Sequence, residues 1–331
     1  MQPSPPRLKL YSAFASVYFI WGSTYLAIRY AVETIPPLLM AGVRFMIAGS
    51  IMYLWGWYRS REVPTRRHWK SATVIGLMLL LIGNGGLSWA EKLIPSGIAA
   101  LLIAVSPLWF VLIEWQQGGI RPSAGVFIGL FLGSLGMLVL VDPADLVGGG
   151  EVSTVGAAVL LGSSICWALG SFYSRKAPLP SSPALATGME MLAGGVGLLL
   201  VGALIGEIPE LRLADITSRS LFSMAYLVVF GSIIGFSSYI WLFRSTTPTL
   251  ASTYAYVNPV VAVLIGWLVG GEELPGRVPV AALFIIAAVA AITFFGTRRT
   301  SDAMKMLGIK EKSEIRSTKF ERISNHEKEK P

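Results

Sequence analysis

Charged residues are scarce in this sequence of 331 residues. Asp, Glu, Lys and Arg make up 14% of it, whereas hydrophobic residues make up 53%. Because an average soluble domain carries about 25% charged residues, this composition excludes a soluble globular domain and predicts a membrane protein. The formal net charge of +8 comes from loops and the C-terminal tail. Cations there set the orientation in the membrane, so we expect no nucleic-acid partner.

Residues that build metal, redox and nucleotide sites are almost absent. The single cysteine, Cys166, lies in an apolar stretch and can form no intramolecular disulfide. The histidines, His68 and His326, lie in a polar loop and in the tail, which excludes an intramembrane metal cluster, haem or catalytic triad built on histidine. No GxxxxGKS or GxxxxGKT phosphate-binding loop occurs, so we expect no ATP hydrolysis. The sequence thus predicts neither a metal nor a cofactor.

Apolar stretches of about twenty residues, the length that a helix needs to cross about 30 Å of hydrocarbon, fill most of the chain. Turn-forming and charged residues separate them. We therefore predict an all-α integral membrane protein with ten transmembrane helices. The predicted spans are 11–32, 36–57, 71–90, 95–115, 123–141, 153–174, 183–205, 220–243, 249–269 and 278–296.

The second five stretches repeat the first five. Because each half holds an odd number of spans, the halves must enter the membrane from opposite sides. We therefore predict two inverted five-helix repeats, which are typical of secondary transporters. The matching pairs include Trp21 with Trp167 at an offset of 146, and Gly83 with Gly235 and Pro107 with Pro259 at an offset of 152.

Lys and Arg residues are distributed between the two sides of the predicted bundle at a ratio of about four to one. Since the richer side is normally cytoplasmic, we expect both termini in the cytoplasm. The predicted organisation is a cytoplasmic N-terminus (1–10), a first repeat (11–141), an external loop (142–152), a second repeat (153–298) and a disordered cytoplasmic tail (299–331).

Arg44 and Glu190 lie deep inside predicted spans, where charges are costly and usually functional. The offset of 146 places them at equivalent depths in the second and seventh spans. Together they could bind a zwitterionic substrate or form an internal salt bridge. Each could instead close a contact between helices, and Glu190 could carry a coupling proton.

Aromatic and amide side chains supply further candidates for a substrate site. Trp21 lies about ten residues into its span, too deep for an interfacial belt, so it lines a cavity or packs tightly. Asn84 offers an amide that could bind a substrate or a neighbouring helix. The remaining candidates for substrate binding are Tyr25, Trp89, Ser106, Trp167, Trp241, Tyr254, Tyr256 and Asn258.

Ser106-Pro107 and Asn258-Pro259 stand in the middle of equivalent spans. A proline there removes a backbone hydrogen bond and leaves a carbonyl unpaired one turn earlier, and the preceding Ser or Asn can satisfy it. We predict a kink at Pro107 and at Pro259. Each kink could be a hinge for gating or only bent packing.

Several motifs together resemble the EamA family of the drug/metabolite transporter superfamily. The resemblance covers residues 11 to about 298. It implies an inner-membrane permease with a central cavity lined by spans one to four and six to nine, with the fifth and tenth as scaffold. It also implies export of amino acids and related small metabolites from the cytoplasm of a bacterial cell across its plasma membrane. The motifs are Trp21-Gly22-Ser23-Thr24-Tyr25, Gly42-Val43-Arg44-Phe45 after Pro36-Pro37, Pro95-Ser96-Gly97-Ile98-Ala99-Ala100, and Tyr254-Ala255-Tyr256-Val257-Asn258-Pro259-Val260 followed by Gly271-Glu272-Glu273.

The predicted function is therefore a secondary transporter that exports amino acids or related amphipathic compounds by alternating access. Its expected partners are a small-molecule substrate, the lipid bilayer and, as a coupling ion, a proton; the chain could be a monomer or a homodimer. A channel or uniporter for small solutes is the main alternative. A membrane-embedded lipid-modifying enzyme is a weaker one, because such an enzyme needs His, Asp or Cys grouped at one interface and the sequence has no such group.

Overall fold

A computed structural model describes residues 7–90, 93, 102–118, 121–140, 153–271 and 276–306, with the backbone alone at Arg7 and 296–306. Within these ranges the chain is helical and contains no strand. The predicted external loop (142–152), the motif at 95–100 and Glu272-Glu273 lie outside the described residues. So do residues 1–6 and 307–331 of the predicted terminal segments.

Helices occupy all or part of each predicted span. Their bounds are α1, Arg7–Ala15, Ser16–Ile20 and Trp21–Val32 in one run; α2, Pro37–Ser60; α3, Arg66–Ala90; α4, Ser106–Gln116; α5, Ala124–Leu140; α6, Thr154–Lys176; α7, Pro183–Leu204; α8, Ser218–Ser245; α9, Pro248–Leu268 with a turn before Tyr254; and α10, Val278–Met306. Short helical turns, Glu207–Glu210 and Leu213–Asp215, connect α7 to α8.

Among the described residues, seven helices are long and apolar enough to cross a membrane, and α5 is a shorter apolar helix. The seven are α2, α3, α6, α7, α8, α9 and the Val278–Phe295 part of α10. The all-helical membrane architecture is therefore confirmed, whereas the number of crossings and the inverted arrangement stay predictions. The ends differ slightly from the predicted ones, since α1 begins at Arg7 and α10 continues to Met306, into the predicted tail.

The polar residues between the apolar stretches start the helices. Pro37 and Pro183 occupy the first turns of α2 and α7, where a proline loses no helical hydrogen bond. Thr65 caps α3 by accepting a hydrogen bond from the His68 amide at 3.2 Å, and the His68 ring accepts one from the Thr65 amide at 3.4 Å. His68 therefore has a structural role at a helix start.

Helices α2 and α7 pack along glycine-rich faces. Residues later in α2 contact residues earlier in α7, so the two helices run antiparallel. Small residues allow this close approach of helix backbones. The facing pairs are Gly42 with Leu199, Met46 with Gly195, Gly49 with Leu192 and Tyr53 with Gly188. Helices α5 and α10 pack in the same way, with Gly129 against Ile292 and Gly136 against Ile285.

The bundle has two ends, which we name by one residue each. The Val32 face holds the end of α1 and the start of α8, where Arg219 forms an ion pair with Glu33. The Arg244 face holds the end of α6 and the end of α8, where Arg175 donates a hydrogen bond to the Thr246 carbonyl at 3.3 Å. The candidate site lies between these two faces.

Candidate functional site

A cavity of about 800 Å³ extends from the middle of the bundle towards the Val32 face. Its inner end is lined by Trp21, Trp167 and Tyr254, and its outer end by Val32 and Arg277. Most of the lining comes from helices α1 to α3, α6, α8 and α9. Met137 and Leu140 of α5 and Val278 of α10 also line it. The resemblance implied that α5 and α10 are only scaffold, whereas in the structure both contribute to the cavity wall.

The structure brings many of the predicted site residues to this cavity and leaves others outside its lining. Those that line it are Trp21, Tyr25, Arg44, Asn84, Ser106, Trp167, Tyr254, Asn258 and Pro259. Those that do not are Trp89, Pro107, Glu190, Trp241 and Tyr256.

Three aromatic rings, those of Trp21, Trp167 and Tyr254, close the inner end of the cavity, and the ring of Tyr239 packs against all three. We call these four residues the aromatic floor. The ring centroid of Trp21 lies 5.8 Å from the centroid of Trp167, 5.1 Å from that of Tyr239 and 5.3 Å from that of Tyr254. Hydrogen bonds hold the rings in place: Trp167 Nε1 donates to Tyr239 Oη at 2.9 Å, and Trp21 Nε1 donates to the Gly231 carbonyl at 3.1 Å. Such edge and tilted contacts are favourable for aromatic rings.

Each tryptophan of the floor packs on a glycine of the other half of the chain. A Cβ atom at Gly235 would lie 2.5 Å from Trp21 Nε1, and one at Gly83 would lie 2.8 Å from Trp167 Cε3. Both glycines belong to π-helical segments, Leu227–Phe236 in α8 and Leu77–Gly85 in α3. Such segments occur frequently at functional sites.

Packed phenylalanine rings continue from the floor towards the Arg244 face. The Phe243 centroid lies 6.1 Å from Tyr239, 5.5 Å from Phe110 and 5.5 Å from Phe172. The Arg175 guanidinium then lies 5.4 Å above the Phe243 ring. Side chains of the described residues therefore fill the bundle between the aromatic floor and the Arg244 face, while the cavity lies between the floor and the Val32 face.

Arg44 lies in the wall of the cavity. Its side chain is held by a hydrogen bond from Nε to Ser232 Oγ at 2.7 Å, and its guanidinium lies 4.8 Å from the Phe45 ring centroid. Arg44 is 4% exposed. A cation kept in such a position is a candidate for binding an anionic substrate group.

Glu190 lies outside the lining and is 0% exposed. Its nearest charged partner is Arg244, whose Nη2 atom lies 3.8 Å from Glu190 Oε1. Among the described residues, neither carboxylate oxygen has a hydrogen-bond partner. The salt bridge considered between Arg44 and Glu190 is thus absent from the described structure, because each residue has found a different partner on α8.

The two Ser/Asn-Pro pairs adopt different structures. Helix α4 begins at Ser106, so Pro107 lies in its first turn, and the Ser106 hydroxyl donates to the Ile103 carbonyl at 2.5 Å. That carbonyl is the one which a proline at 107 leaves unpaired. Pro259 lies inside the Tyr254–Leu268 helix. The Asn258 amide nitrogen, assigned by its hydrogen bonds, lies 3.2 Å from the carbonyls of Tyr18 and Tyr254.

The remaining candidates pack outside the cavity. Tyr256 lies on Gly133 of α5, and its hydroxyl donates to the Leu130 carbonyl at 3.3 Å. Trp241 lies under Lys9, whose Nζ is 4.8 Å from the ring centroid. Trp89 packs against a cluster that contains Ala90 and Leu160.

A model of the EamA-like transporter family matches residues 8–142 and 154–294 of the chain. The chain belongs to the EamA family.

EamA relatives match over most of their own length. The uncharacterized inner membrane transporter YedA of Escherichia coli K12 is 41% identical over 288 residues, which are 86% of this chain and 91% of that protein. The transporter YvbV of Bacillus subtilis is 22% identical over 93% of this chain and 98% of its own. The protein PecM of Dickeya dadantii is 24% identical over 88% and 95%. This EamA chain is accordingly a membrane transporter, and its relative YedA is an inner membrane protein.

A solved crystal structure has the same fold as this EamA chain. The TM-score is 0.72 at 21% identity, and the match covers 89% of this chain and 99% of the other.

Sequence reasoning does not identify Tyr239 and Ser232, which support the candidate site by hydrogen bonds to the lining residues Trp167 and Arg44. It selects Trp241 instead of Tyr239, although a step of two residues turns a helix by about 200° and puts them on opposite sides. Tyr239 faces Trp167 and Trp241 faces away. A search for hydroxyl residues on the helix face that holds Gly235 would have found Ser232 and Tyr239, three and four residues from it.

Proposed function

We propose that this EamA protein is a secondary transporter that exports amino acids or related amphipathic metabolites across the plasma membrane by alternating access. The observation that carries the proposal is the aromatic floor. A cavity of about 800 Å³ opens above it, whereas Phe110, Phe172 and Phe243 fill the bundle beneath it. A carrier exposes its site to one side at a time, whereas an open channel needs a continuous path.

Two sets of contacts support the inverted repeat that alternating access requires. Trp21 of the first half contacts Gly235 of the second. The residues that correspond to them by the offsets of 146 and 152, Trp167 and Gly83, make the same contact with the halves exchanged. The offset of 146 likewise turns the pair Gly42–Leu199 into Gly188–Tyr53. Helices α2 and α7 run antiparallel, as the corresponding helices of opposed halves must.

The orientation follows from the charges. The Arg244 face carries Arg175, Lys176 and Arg244 at the ends of α6 and α8; the loop between α2 and α3 adds Arg61, and α3 begins with Arg66. We assign this face to the cytoplasm. Both termini and the tail (299–331) are then cytoplasmic, the loop 142–152 is external, and the cavity faces outwards.

In this mechanism Arg44 attracts a carboxylate, and Trp21, Trp167 and Tyr254 form the apolar and π-rich walls. Binding and release from the outward cavity alternate with opening at the Arg244 face, with Pro259 and the break before Pro107 as bending points. Glu190 lies beneath the floor, so a coupled proton would reach it from the cytoplasmic side in this conformation. The chain acts as a monomer or a homodimer.

The test is transport by the full chain reconstituted in proteoliposomes. A thermal-shift screen of detergent-purified protein against amino acids, carboxylates, nucleosides and cationic dyes selects ligands, because a bound ligand raises stability by mass action. We expect uptake of a selected compound to saturate and to show counterflow. Linear uptake without counterflow would identify a channel and refute the carrier. Empty liposomes and heat-inactivated protein are the controls.

A further inference from the structure

We propose that a groove on the outer surface of the bundle, between α3 and α7, binds an anionic phospholipid. One acyl chain lies in the groove, and the phosphate binds Arg66 and Lys70 at the start of α3. The groove is separate from the cavity, so the inference goes beyond the proposed function and can be tested independently of it.

The groove is apolar and opens away from the bundle. Its volume is about 380 Å³, and none of its lining residues lines the cavity. Val196 is 45% exposed and Leu200 is 60% exposed, so this side of α7 faces outwards. In a membrane such a surface meets acyl chains instead of water. The lining residues are Trp69, Thr73 and Leu77 of α3 and Leu192, Ala193, Val196, Gly197 and Leu200 of α7.

Arg66 and Lys70 lie on the same face of α3 as the groove residues Thr73 and Leu77. Steps of four, three and four residues separate these side chains along the helix, which places them in one stripe. The two cations come first, at the Arg244 face, and the groove residues follow deeper in the helix. The stripe therefore runs from charge to apolar surface over about 16 Å, at about 1.5 Å per residue. A phospholipid presents its phosphate and its acyl chain in the same order.

The segment that leads from α2 into α3 is strongly cationic. The structure describes every residue from 59 to 70, and the charged ones are the cations Arg59, Arg61, Arg66, Arg67 and Lys70 and the acid Glu62. The Glu62 carboxylate accepts a hydrogen bond from the Ser181 amide at 2.9 Å, so it holds the loop before α7. Arg66 and Lys70 are exposed. Clusters of Lys and Arg beside a membrane-spanning helix attract anionic lipid head groups.

Trp69 lies where the cations meet the groove. Its ring centroid is 5.9 Å from that of Tyr53 on α2, and it is 36% exposed. Tryptophan is enriched at the membrane interface, where its ring sits at the level of the head groups. The position of Trp69 next to Lys70 therefore places the two cations at the depth of lipid phosphates.

A matched series of lipids tests the charge preference. The series is dioleoylphosphatidylglycerol, dioleoylphosphatidylcholine, which has the same chains without net charge, and glycerophosphoglycerol, which is the anionic head group without chains. Native mass spectrometry of the purified full chain counts bound lipids, and titration gives their affinities. We expect the anionic lipid to bind about tenfold or more tightly than phosphatidylcholine, and the soluble head group to bind more weakly than either lipid.

Charge variants connect that preference to one face of α3. Arg66→Gln and Lys70→Gln should each weaken binding of the anionic lipid about three- to fivefold, and together about 10- to 25-fold, with little effect on phosphatidylcholine. Arg67→Gln removes the same charge about 100° around the helix from Arg66 and should have a smaller effect. Arg212→Gln removes it at the Val32 face and should have none.

A second variant tests the groove itself. Ala193→Leu places a larger side chain in the groove and should weaken both lipids, by about fourfold for each CH₂ group that it displaces. The matched control is Ala287→Leu at an exposed position of α10, which should leave lipid binding unchanged. The melting temperature of each variant shows whether it has folded.

Several outcomes would overturn the inference. Equal affinity for the two lipids, unchanged affinity in folded Arg66→Gln/Lys70→Gln, or equal losses in Arg66→Gln and Arg67→Gln would refute a phosphate site on this face. Equally tight binding of glycerophosphoglycerol, or unchanged binding in Ala193→Leu, would show that no acyl chain occupies the groove. A dimer that Ala193→Leu dissociates would identify a second copy of the chain as the occupant. Counterflow tests the carrier separately, so either proposal can fail alone.

Discussion

Arg44 in α2 and Glu190 in α7 occupy equivalent sequence positions, yet their surroundings differ. Arg44 lines the cavity on the outer side of the aromatic floor, where Ser232 holds its Nε atom. Glu190 is fully buried on the other side of the floor, 3.8 Å from Arg244. Repetition of the sequence therefore sets the depth of a residue in its helix, while the position of the floor decides whether a cavity reaches it.

The difference has a consequence for the proposed alternating access. If the halves exchange conformations, the space beside Arg44 would close and a new space would open on the side of Glu190 and Arg244. The two charged positions would then face water or substrate in turn. A cation would serve the outward state and a carboxylate–guanidinium pair the inward one.

Labelling of single cysteines can break this comparison outright. In a Cys166→Ser background, Arg121→Cys and Arg212→Cys place exposed thiols in the loops before α5 and before α8. A membrane-impermeant maleimide added to intact cells should label one of the two and spare the other, which reacts only after lysis. Labelling of both in intact cells would show that the two loops lie on the same side, which would refute the opposed orientation of the halves and the proposed mechanism.

Loss of the Glu190 partner should cause the largest change in stability. Arg244→Ala leaves a buried carboxylate without its cation, and we expect the free energy of unfolding to fall by about 3 kcal/mol. That is the lower end of the range for buried pairs, because the Arg244 side chain is 30% exposed. Chemical unfolding in mild detergent measures it.

The double variant sharpens the result. Adding Glu190→Gln to Arg244→Ala removes the unpaired charge and should restore much of the lost stability, whereas Arg175→Ala serves as a matched loss of a cation on the same face. A double variant as unstable as Arg244→Ala alone would show that the pair does not stabilise the helices through charge.

The two glycines beneath the tryptophans should respond unequally to alanine. Gly235→Ala places a Cβ atom 2.5 Å from Trp21 Nε1, and Gly83→Ala places one 2.8 Å from Trp167 Cε3. We expect overpacking to cost about 1–3 kcal/mol in each case, and more at Gly235 because the contact is shorter. Thermal unfolding of the purified chain measures both.

Gly162→Ala is the control for this pair, since nothing lies within 4 Å of its added Cβ atom. It should leave stability unchanged or raise it slightly, because alanine is the better helix former. Equal stability of Gly235→Ala and Gly162→Ala would contradict the close packing of Trp21.

Much of the candidate site was predictable from helical patterns. Trp21 was placed away from a membrane interface because of its depth, and it lines the cavity together with Arg44, Asn84 and Asn258. The patterns failed for Trp241 and Tyr256, which lie in the correct helices but point towards Lys9 and α5. In a helix that is apolar on every side, hydropathy does not distinguish the face towards the cavity from the face towards a neighbour.

The sequence by itself determined the membrane class, the approximate limits of the helices and the duplicated pattern, because apolar length, turn residues and repeated motifs are local properties of the chain. Only the tertiary structure decided that Glu190 pairs with Arg244, that Tyr239 completes the aromatic floor and that the cavity stops there. These contacts join residues from different helices, and they depend on how each helix is rotated about its axis. That rotation results from packing across the whole bundle, which no single segment specifies.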